Sequence, residues 1–458
     1  MPAMRTDASH AALRFGLGPR PGELAAVAAD PRGSVVAQCE RTDGAILEGP
    51  DLHGTGYNLA RHFQDVRVRR DARGPAANGD RVAADILAVA PYRQTTSEAE
   101  IGARFGRGCT TGDGLTERLV LFWSNHFSVS VRKSPIMAAI TGAYEREAIR
   151  PFVYRHFGEM LRAVVTHPAM LIYLDNTVSI GPLSPQGLKK RSGLNENLAR
   201  EILELHTLGV AGGYTQHDVT QLACILTGWS QDGSLDPHSN RGSIFHANRH
   251  EPGAFTVLGR VYAGDGPDQL DRVLGDLAGH PSTARHLAGK LVRHFVSDAA
   301  SAGLVDTVAK AYLDTEGDLA ATSIALASSD IAWKYPAAKI RSPYLFVLAA
   351  HRAFGFSGRE GARLRKDLGI LGQPLWYPPS PAGWPDGDDV WLAGDALLER
   401  LDFAARFAKT APDVPVPMLG EDILADRYAE ATREAMMRAE SREQALALML
   451  LSPGFQRI

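Results

Sequence analysis

Cysteine is scarce in this chain, and its few positions suggest no pairing. The 458 residues include three cysteines, Cys39, Cys109 and Cys224, and no CxxC motif. An odd number of widely separated cysteines argues against both a disulfide framework and a cysteine-based zinc site. We therefore expect a protein of a reducing compartment.

Long apolar runs are also absent. No stretch approaches the roughly 18 consecutive apolar residues that a membrane span requires. The first residues, MPAMRTDASHAALRFGLGPRPG, do not contain the unbroken apolar region of a secretion signal. The sequence as given therefore predicts a cytoplasmic protein with no membrane span.

Neither sign of charge dominates, and several familiar motifs are missing. The formal net charge is -3, with acids and bases interspersed, whereas nucleic-acid binding favours a basic face. The chain contains no HExxH, GxxxxGK[ST] or GxSxG motif, and no GxGxxG placed after a strand. These absences argue against zinc proteolysis, nucleoside triphosphate hydrolysis, serine esterase chemistry and a nucleotide cofactor.

Alanine, leucine, arginine and glutamate recur at helical spacing, which predicts a mainly α fold, a large multi-helix, bundle-like body. One core rarely grows beyond roughly 250–300 residues, so two packed lobes within one unit are expected. We predict a helical lobe with a polar site at 1–229, a loop and hairpin insertion at 230–267, and a second helical lobe at 268–458. The Pro- and Trp-rich segment 372–392 is expected to be an ordered loop packed on this body.

The most concentrated polar segment runs from Asn195, a suitable N-cap, to His206. At 100° per residue, Asn197, Glu201 and Glu204 fall within about 60° of one another. Two carboxylates on one helix face are suited to metal ligation. The alternative is a solvated acidic face in which Glu196 and Glu204 pair with Arg200 at i, i+4.

Three histidines are further candidates. His206 lies about 160° from Glu204, on the apolar side, so it joins the carboxylates only if the helix ends there; otherwise it is a buried residue of the last turn. His126, in the apolar helix segment LVLFWSNHFSVS, is either a core histidine or a ligand. His250 lies in the polar loop HANRHE, where surface residues of this kind are common.

A second polar pair follows the apolar run HPAMLIYL. Asp175 and Asn176 come directly before a Gly- and Pro-containing loop. Both residue types are common at turns and helix ends. They are therefore either local caps or the lining of a cleft.

Long blocks of the chain resemble one bacterial family, which is catalogued as domain of unknown function 1800. The blocks are LVLFWSNHFSVS, HPAMLIYLDN, LNENLAREILELHTLGVAGGYTQHDVTQLACILTGW, HPSTARHLAGKLVRHFV and GQPLWYPPSPAGWPD. The resemblance covers essentially the whole chain and implies a largely helical protein, but no settled activity. Many members carry secretion signals, and their genes often neighbour those of a sulfatase-like family.

The resemblance also points to particular residues. The recurring polar positions of the family fall on His126, His167, Asp175, Asn176, Asn195, Asn197, Glu201, Glu204 and His206. Where the family more often has His-Asp, this chain has His250-Glu251, so the carboxylate reaches further. Polar residues kept within apolar helices are costly unless they are hydrogen-bonded or functional. This raises the expectation of a real site.

We therefore predict a metal-dependent enzyme, oxidative or hydrolytic, acting on a small-molecule or polymer substrate. Mixed nitrogen and oxygen ligands favour iron or manganese over zinc. The predicted ligands are His126, Glu201, Glu204, His206 and His250, and the predicted catalytic residues are Asp175, Asn197 and Arg200.

Two other interpretations stay open. One is a metal-free binding or scaffold protein that acts with the product of a neighbouring gene, with segment 372–392 as its recognition surface. The other is a metal-free hydrolase that pairs Asp175 with His126 or His167.

Overall fold

The computed structural model of the protein describes residues 2–41, 43–74, 81–190, 193–233, 236, 242–299, 301–413 and 415–458. Helices dominate these ranges, which confirms the mainly α prediction. The helices before residue 230 are α1 Pro2–Leu13, α2 Glu23–Val27, α3 Pro31–Cys39, α4 Thr55–Ala72, α5 Arg81–Ala88, α6 Tyr92–Thr110, α7 Gly114–His126, α8 Met137–Tyr144, α9 Phe157–Thr166, α10 Pro168–Tyr173, α11 Pro185–Lys190, α12 Asn197–Glu201 and α13 Gln216–Leu226.

The remaining helices follow two small hairpins. They are α14 Asp268–Ala278, α15 Pro281–Phe295, α16 Ala302–Asp314, α17 Leu319–Ser328, α18 Asp330–Lys334, α19 Pro343–Ala353, α20 Gly361–Ile370, α21 Asp388–Trp391, α22 Gly394–Ala408, α23 Val416–Leu424, α24 Glu430–Met437, α25 Arg442–Leu451 and α26 Pro453–Gln456. None of the helices in the described ranges is both long enough and apolar enough to cross a bilayer.

The predicted insertion forms two antiparallel strand pairs. Strand β1 (Trp229–Gln231) pairs with β2 (Ser243–Phe245), and β3 (Phe255–Val257) pairs with β4 (Arg260–Tyr262). The hairpin character predicted for this insertion is thereby confirmed. Residues 234, 235 and 237–241 of the insertion lie outside the described residues.

Two helices continue into π turns, which are rare and frequently mark functional sites. The first, Glu145–Ile149, follows α8, and the second, Ile202–His206, follows α12. The second replaces the regular α-helical spacing of 100° per residue that was assumed from the sequence up to His206. Because a π turn contains one residue more than an α turn, it changes the directions of the side chains after it.

Buried apolar side chains form two clusters. The first cluster extends from Ala11 to Trp333, and the second gathers residues from Tyr344 to Phe455 around parts of α6. The division into lobes at 229 and 267 stays a prediction. The apolar packing itself changes from the first cluster to the second between Trp333 and Tyr344, so α14–α18 pack with the N-terminal helices.

Side chains of α7 and α15 meet: His126 lies beside Lys290, and Phe122 beside His294. Pro281 occupies the first turn of α15, where its missing N–H costs no hydrogen bond, and His280 accepts the N–H of Ser282. His286, Lys290 and His294 follow at intervals of four residues, so they lie along one side of α15. Two polar regions of the molecule form along this line.

Candidate functional site

A cavity lies where the two apolar clusters meet. It contains about 880 Å³ of space between atoms, part of it open to solvent. Tyr144 from the first cluster and Tyr344 from the second both line it. Further wall residues come from α7, α15 and the Pro- and Trp-rich loop. Apolar cavities with a few convergent polar groups are typical ligand sites.

The Pro- and Trp-rich loop packs onto the body, as predicted, and closes one side of the cavity. Asn125 in α7 holds it through two hydrogen bonds: its Oδ1 accepts the N–H of Trp384 at 2.7 Å, and its Nδ2 donates to the Trp384 carbonyl at 2.9 Å. Gly383 makes this approach possible, because a Cβ there would lie 2.4 Å from the Asn125 carbonyl oxygen.

Trp376 in the same loop has an unusual backbone conformation. Its φ is 55°, a left-handed value that is rare for a bulky residue. Its carbonyl accepts the N–H of Val131 at 2.9 Å, which fixes it to the body. Strained residues of this kind cluster at ligand and active sites, and Trp376 lines the cavity.

His294 and Asp386 form a pair in the cavity wall, here called the His294–Asp386 pair. The imidazole Nδ1 lies 3.0 and 3.1 Å from the two carboxylate oxygens of Asp386. Lys339 contacts the carbonyl of Asp386 and pairs with Asp298, which fixes the segment. Because the carboxylate holds the proton on Nδ1, the opposite nitrogen Nε2 keeps a lone pair. Nε2 is buried and has no hydrogen-bond partner among the described residues.

Electrostatics favour a neutral imidazole beside an ionised carboxylate. Burial lowers the pKa of His294 below its ordinary value, although Asp386 opposes the shift. Burial alone would raise the pKa of Asp386, but His294 and Lys339 hold it well below its usual range. At neutral pH, Nε2 of His294 is therefore unprotonated and can accept a proton.

A buried ionic network forms another part of the wall. Glu145, in the first π turn, accepts from Arg104 Nε at 2.8 Å, from Arg150 Nε at 3.1 Å and from Ser124 Oγ at 2.9 Å. Burial opposes ionisation of Glu145, yet the two guanidinium groups hold its pKa below the ordinary value. Such pairing is what makes buried charge tolerable.

A second polar region, here called the cap cluster, consists of His126, His206, His286 and Lys290. His126 Nε2 donates to the carbonyl of His206 at 3.1 Å, and His286 Nε2 donates to the carbonyl of Leu205 at 3.0 Å. Both carbonyls end the second π turn, where they have no partner within the helix. The two histidines therefore cap this helix end.

Lys290 and His206 complete the cap cluster. Lys290 donates to His126 Nδ1 at 2.9 Å, and burial lowers its pKa to about 8. Burial, with Lys290 and His286 nearby, lowers the pKa of His206 to about 3. Neither ring nitrogen of His206 has a partner among the described residues. His206 lies on the packing side, with its ring centre 5.0 Å from that of Phe127.

The predicted acidic face of α12 is largely a surface network. Asn195 Oδ1 accepts the N–H of Asn197, an exposed residue. Arg200 pairs with Glu196 at 3.4 Å, as in the surface alternative, and Glu204 instead accepts from the Tyr214 hydroxyl at 3.1 Å.

Glu201 is the half-buried member of that face. Burial, and next the neighbouring Glu204, raise its pKa.

The other predicted residues have local partners. His250 Nδ1 donates to the Thr227 carbonyl at 2.9 Å, and its Nε2 lies 3.1 Å from Gln269 Oε1. Asp175, with φ 61°, pairs with Lys133 at 2.6 Å on the surface.

His167 caps α10 and lies 3.1 Å from Glu147, and Asn176 donates to the carbonyls of Leu226 and Trp229. The contacts of Asp175 thus include neither His126 nor His167.

These positions do not assemble the predicted ligand set. Within the described ranges, no three or more histidine, cysteine, aspartate or glutamate side chains group in a way that could hold a metal ion. Of the five predicted ligands, His126 and His206 lie near each other, with ring centres 6.1 Å apart, and Glu201 lies near Glu204. The presence and identity of a metal stay predictions.

A family model described as "Protein of unknown function (DUF1800)" matches residues 10–457. The chain belongs to the DUF1800 family. The resemblance inferred from the sequence blocks is thereby confirmed. No curated protein and no solved structure matches the chain.

The match to the DUF1800 family spans both the cap cluster and the cavity. The sequence analysis of this DUF1800 chain missed His294, Asp386 and Arg104. Two signals pointed to the first pair: His294 is one of three polar residues spaced by four in an amphipathic helix, and Asp386 follows Trp384 and Pro385 in the aromatic loop. Arg104 lay in an arginine-rich stretch with no distinguishing pattern.

Proposed function

We propose that this protein is a hydrolytic enzyme whose general base is His294, positioned by Asp386 in the wall of the cavity. The observation that carries the proposal is the His294–Asp386 pair itself, with its Nε2 unpartnered. An unpaired buried nitrogen costs stability and therefore calls for a functional explanation. The proposed class, a metal-free Asp–His hydrolase, is one of the interpretations that the sequence left open. The proposed residues differ: they are His294 and Asp386 rather than Asp175 with His126 or His167.

In the proposed reaction, Nε2 takes a proton from water while the water oxygen bonds to the acyl carbon of an ester or amide. Asp386 stays ionised and stabilises the imidazolium through the Nδ1–H. The imidazolium then returns the proton to the leaving oxygen or nitrogen as the C–O or C–N bond breaks. His294 is therefore catalytic and Asp386 is a positioning residue.

Water is the nucleophile that fits the cavity best. The serine hydroxyls of Ser124 and Ser128 line the cavity, but they already donate to Glu145 and to the carbonyl of Pro381. Because Nε2 of His294 is covered, a neighbouring side chain must shift when substrate enters. Phe122, whose ring centre lies 5.4 Å from that of His294, is one such neighbour.

The test is hydrolysis of a panel of p-nitrophenyl esters and p-nitroanilides by purified protein. His294→Gln should lower kcat/KM by roughly a hundredfold or more. His286→Gln, on the same helix, is the matched control and should keep wild-type turnover.

Asp386→Asn should lower the rate and move its acid limb to lower pH, because the carboxylate that supports the imidazolium is gone. Equal rates for wild type and His294→Gln would refute the proposal. The absence of any turnover by wild type would also refute it and favour a binding or scaffold protein.

Metal-dependent chemistry is a second proposal, limited to the face that carries Glu201 and Glu204. It is favoured by one observation: Glu201 is half-buried, and burial together with the nearby Glu204 raises its pKa. An ion there would need further ligands from water or substrate. Elemental analysis of wild type and Glu201→Ala tests this, since stoichiometric iron or manganese should be lost in the variant.

A further inference from the structure

We infer that Arg104 makes the cavity selective for substrates that carry a single carboxylate on an apolar body. This inference deepens the proposed hydrolysis by naming its substrate class. It depends on a side chain, Arg104, that takes no part in proton transfer. Its binding test therefore stands apart from the test of His294.

The first argument is the unused hydrogen-bonding capacity of Arg104. The side chain is 7% exposed and pairs with Glu145 through Nε alone. Neither of its Nη nitrogens donates to another residue of the described ranges, and the guanidinium lies in the cavity wall. An arginine fork matches the two oxygens of a carboxylate. A buried fork with free N–H groups therefore favours an oxyanion.

The second argument is the local charge. The salt bridges around Glu145 join Arg104, Arg107 and Arg150 to the carboxylates of Glu117 and Glu145. Because Arg150 also pairs with Glu145, that carboxylate is shared and does not neutralise Arg104 alone.

Asp386, in the cavity wall, already has the cations Lys339, Arg118 and Lys290 within Coulombic range. The free N–H groups of Arg104 therefore favour one added carboxylate, whereas a dianion would bring a second charge into a site of low dielectric.

The third argument is the apolar remainder of the wall. The guanidinium carbon of Arg104 lies 4.8 Å from the ring centre of Tyr344. Tyr144, Trp376 and Trp384 provide further aromatic surface. Aromatic faces bury large apolar areas and orient flat groups. A carboxylic acid with an aromatic or aliphatic body would bind the guanidinium of Arg104 and also pack against these aromatic side chains.

The test is binding of benzoate, its neutral isostere benzamide, and phenyl phosphate, measured by calorimetry near pH 7.5. Quenching of Trp376 and Trp384 fluorescence offers a second signal. Benzoate should bind wild type roughly ten- to a hundredfold more tightly than benzamide. Arg104→Gln should abolish that difference, and Arg104→Lys should keep part of it. Arg162→Gln, an exposed arginine paired with Asp271, should behave as wild type.

Each result decides the inference. Equal binding of benzoate and benzamide by wild type would overturn it, whatever the folding of the variants. Tighter binding of phenyl phosphate than of benzoate would overturn the selectivity for a monoanion. His294→Gln should bind benzoate like wild type. If that variant loses hydrolysis while wild type binds benzoate and benzamide equally, His294 remains supported as the general base and the role of Arg104 is refuted.

Discussion

The cap cluster and the His294–Asp386 pair both take residues from α15, yet their histidines have different roles. In the cap cluster, His126 and His286 donate to carbonyls that a π turn leaves unpaired. In the pair, His294 is held by a carboxylate and its second nitrogen has no partner. An unpartnered nitrogen alone does not identify a candidate catalytic histidine, because the ring nitrogens of His206 also have no partner among the described residues. The carboxylate of Asp386 at Nδ1 is what distinguishes His294.

The largest expected contrast between the two regions is in stability. His126→Leu leaves the buried carbonyl of His206 and the ammonium of Lys290 without their partner. It should lower the free energy of unfolding by about 2–4 kcal/mol. His294→Leu removes one contact from Asp386, which remains partly exposed and near Lys339, so its loss should be smaller. Urea denaturation followed by circular dichroism measures both. Equal losses of unfolding free energy in the two variants would contradict the distinction between the cap cluster and the His294–Asp386 pair.

A second prediction concerns the loop that closes the cavity but not the cap cluster. Gly383→Ala should destabilise the protein by about 2 kcal/mol more than Gly253→Ala. Both glycines have positive φ, 84° and 116°, so the backbone penalty is shared. Only at Gly383 would the new Cβ meet Asn125, whereas nothing lies within 4 Å at Gly253. Thermal melting of the two variants gives the difference, and indistinguishable melting temperatures would contradict the close approach.

A third prediction uses pH to isolate the cap cluster. The pKa of His206 is about 3 when folded and about 6.5 when unfolded, so the unfolded chain takes up the proton first as pH falls. Its contribution to stability is complete above about pH 6.5 and declines below it, by about 1–2 kcal/mol at pH 5.

His206→Leu should remove this acid sensitivity. It should also be close to neutral at pH 7.5, because the ring nitrogens have no partners to lose. Denaturation at both pH values tests this, and a large loss at pH 7.5 would show that the nitrogens are bonded.

The smallest expected difference between the two regions is which imidazole nitrogen carries the proton, a difference that leaves stability unchanged. Nitrogen-15 NMR of histidine-labelled protein should show the Nδ1–H tautomer for His294 and the Nε2–H tautomer for His126 and His286. The carboxylate sets the first, and the π-turn carbonyls set the others. Asp386→Asn should disturb only the His294 signal. The Nε2–H tautomer at His294 would remove the basis for a general base.

Local sequence signals predicted much of the fold. The helical spacing and the hairpin insertion both appear in the structure, the insertion as two strand pairs. These features depend on residues close together in the chain, which is why patterns of a few residues reveal them.

The candidate site depends on contacts that local patterns do not contain. His294 and Asp386 are 92 residues apart, and only the packing of the aromatic loop joins them. A constant 100° per residue also fails after Glu201, where the π turn begins and changes the directions of Glu204 and His206. The segment with the most polar residues was therefore a surface network and a capped helix end, while the cavity lay elsewhere.

The position of the cavity between the two clusters links ligand binding to folding. A ligand that contacts Tyr144 and Tyr344 together can bind only while both clusters are intact. At a ligand concentration a hundredfold above Kd, binding would add about 2.7 kcal/mol to the free energy of unfolding. Such a ligand would couple the unfolding of the two clusters, so that the N-terminal and C-terminal helices unfold together rather than one after the other.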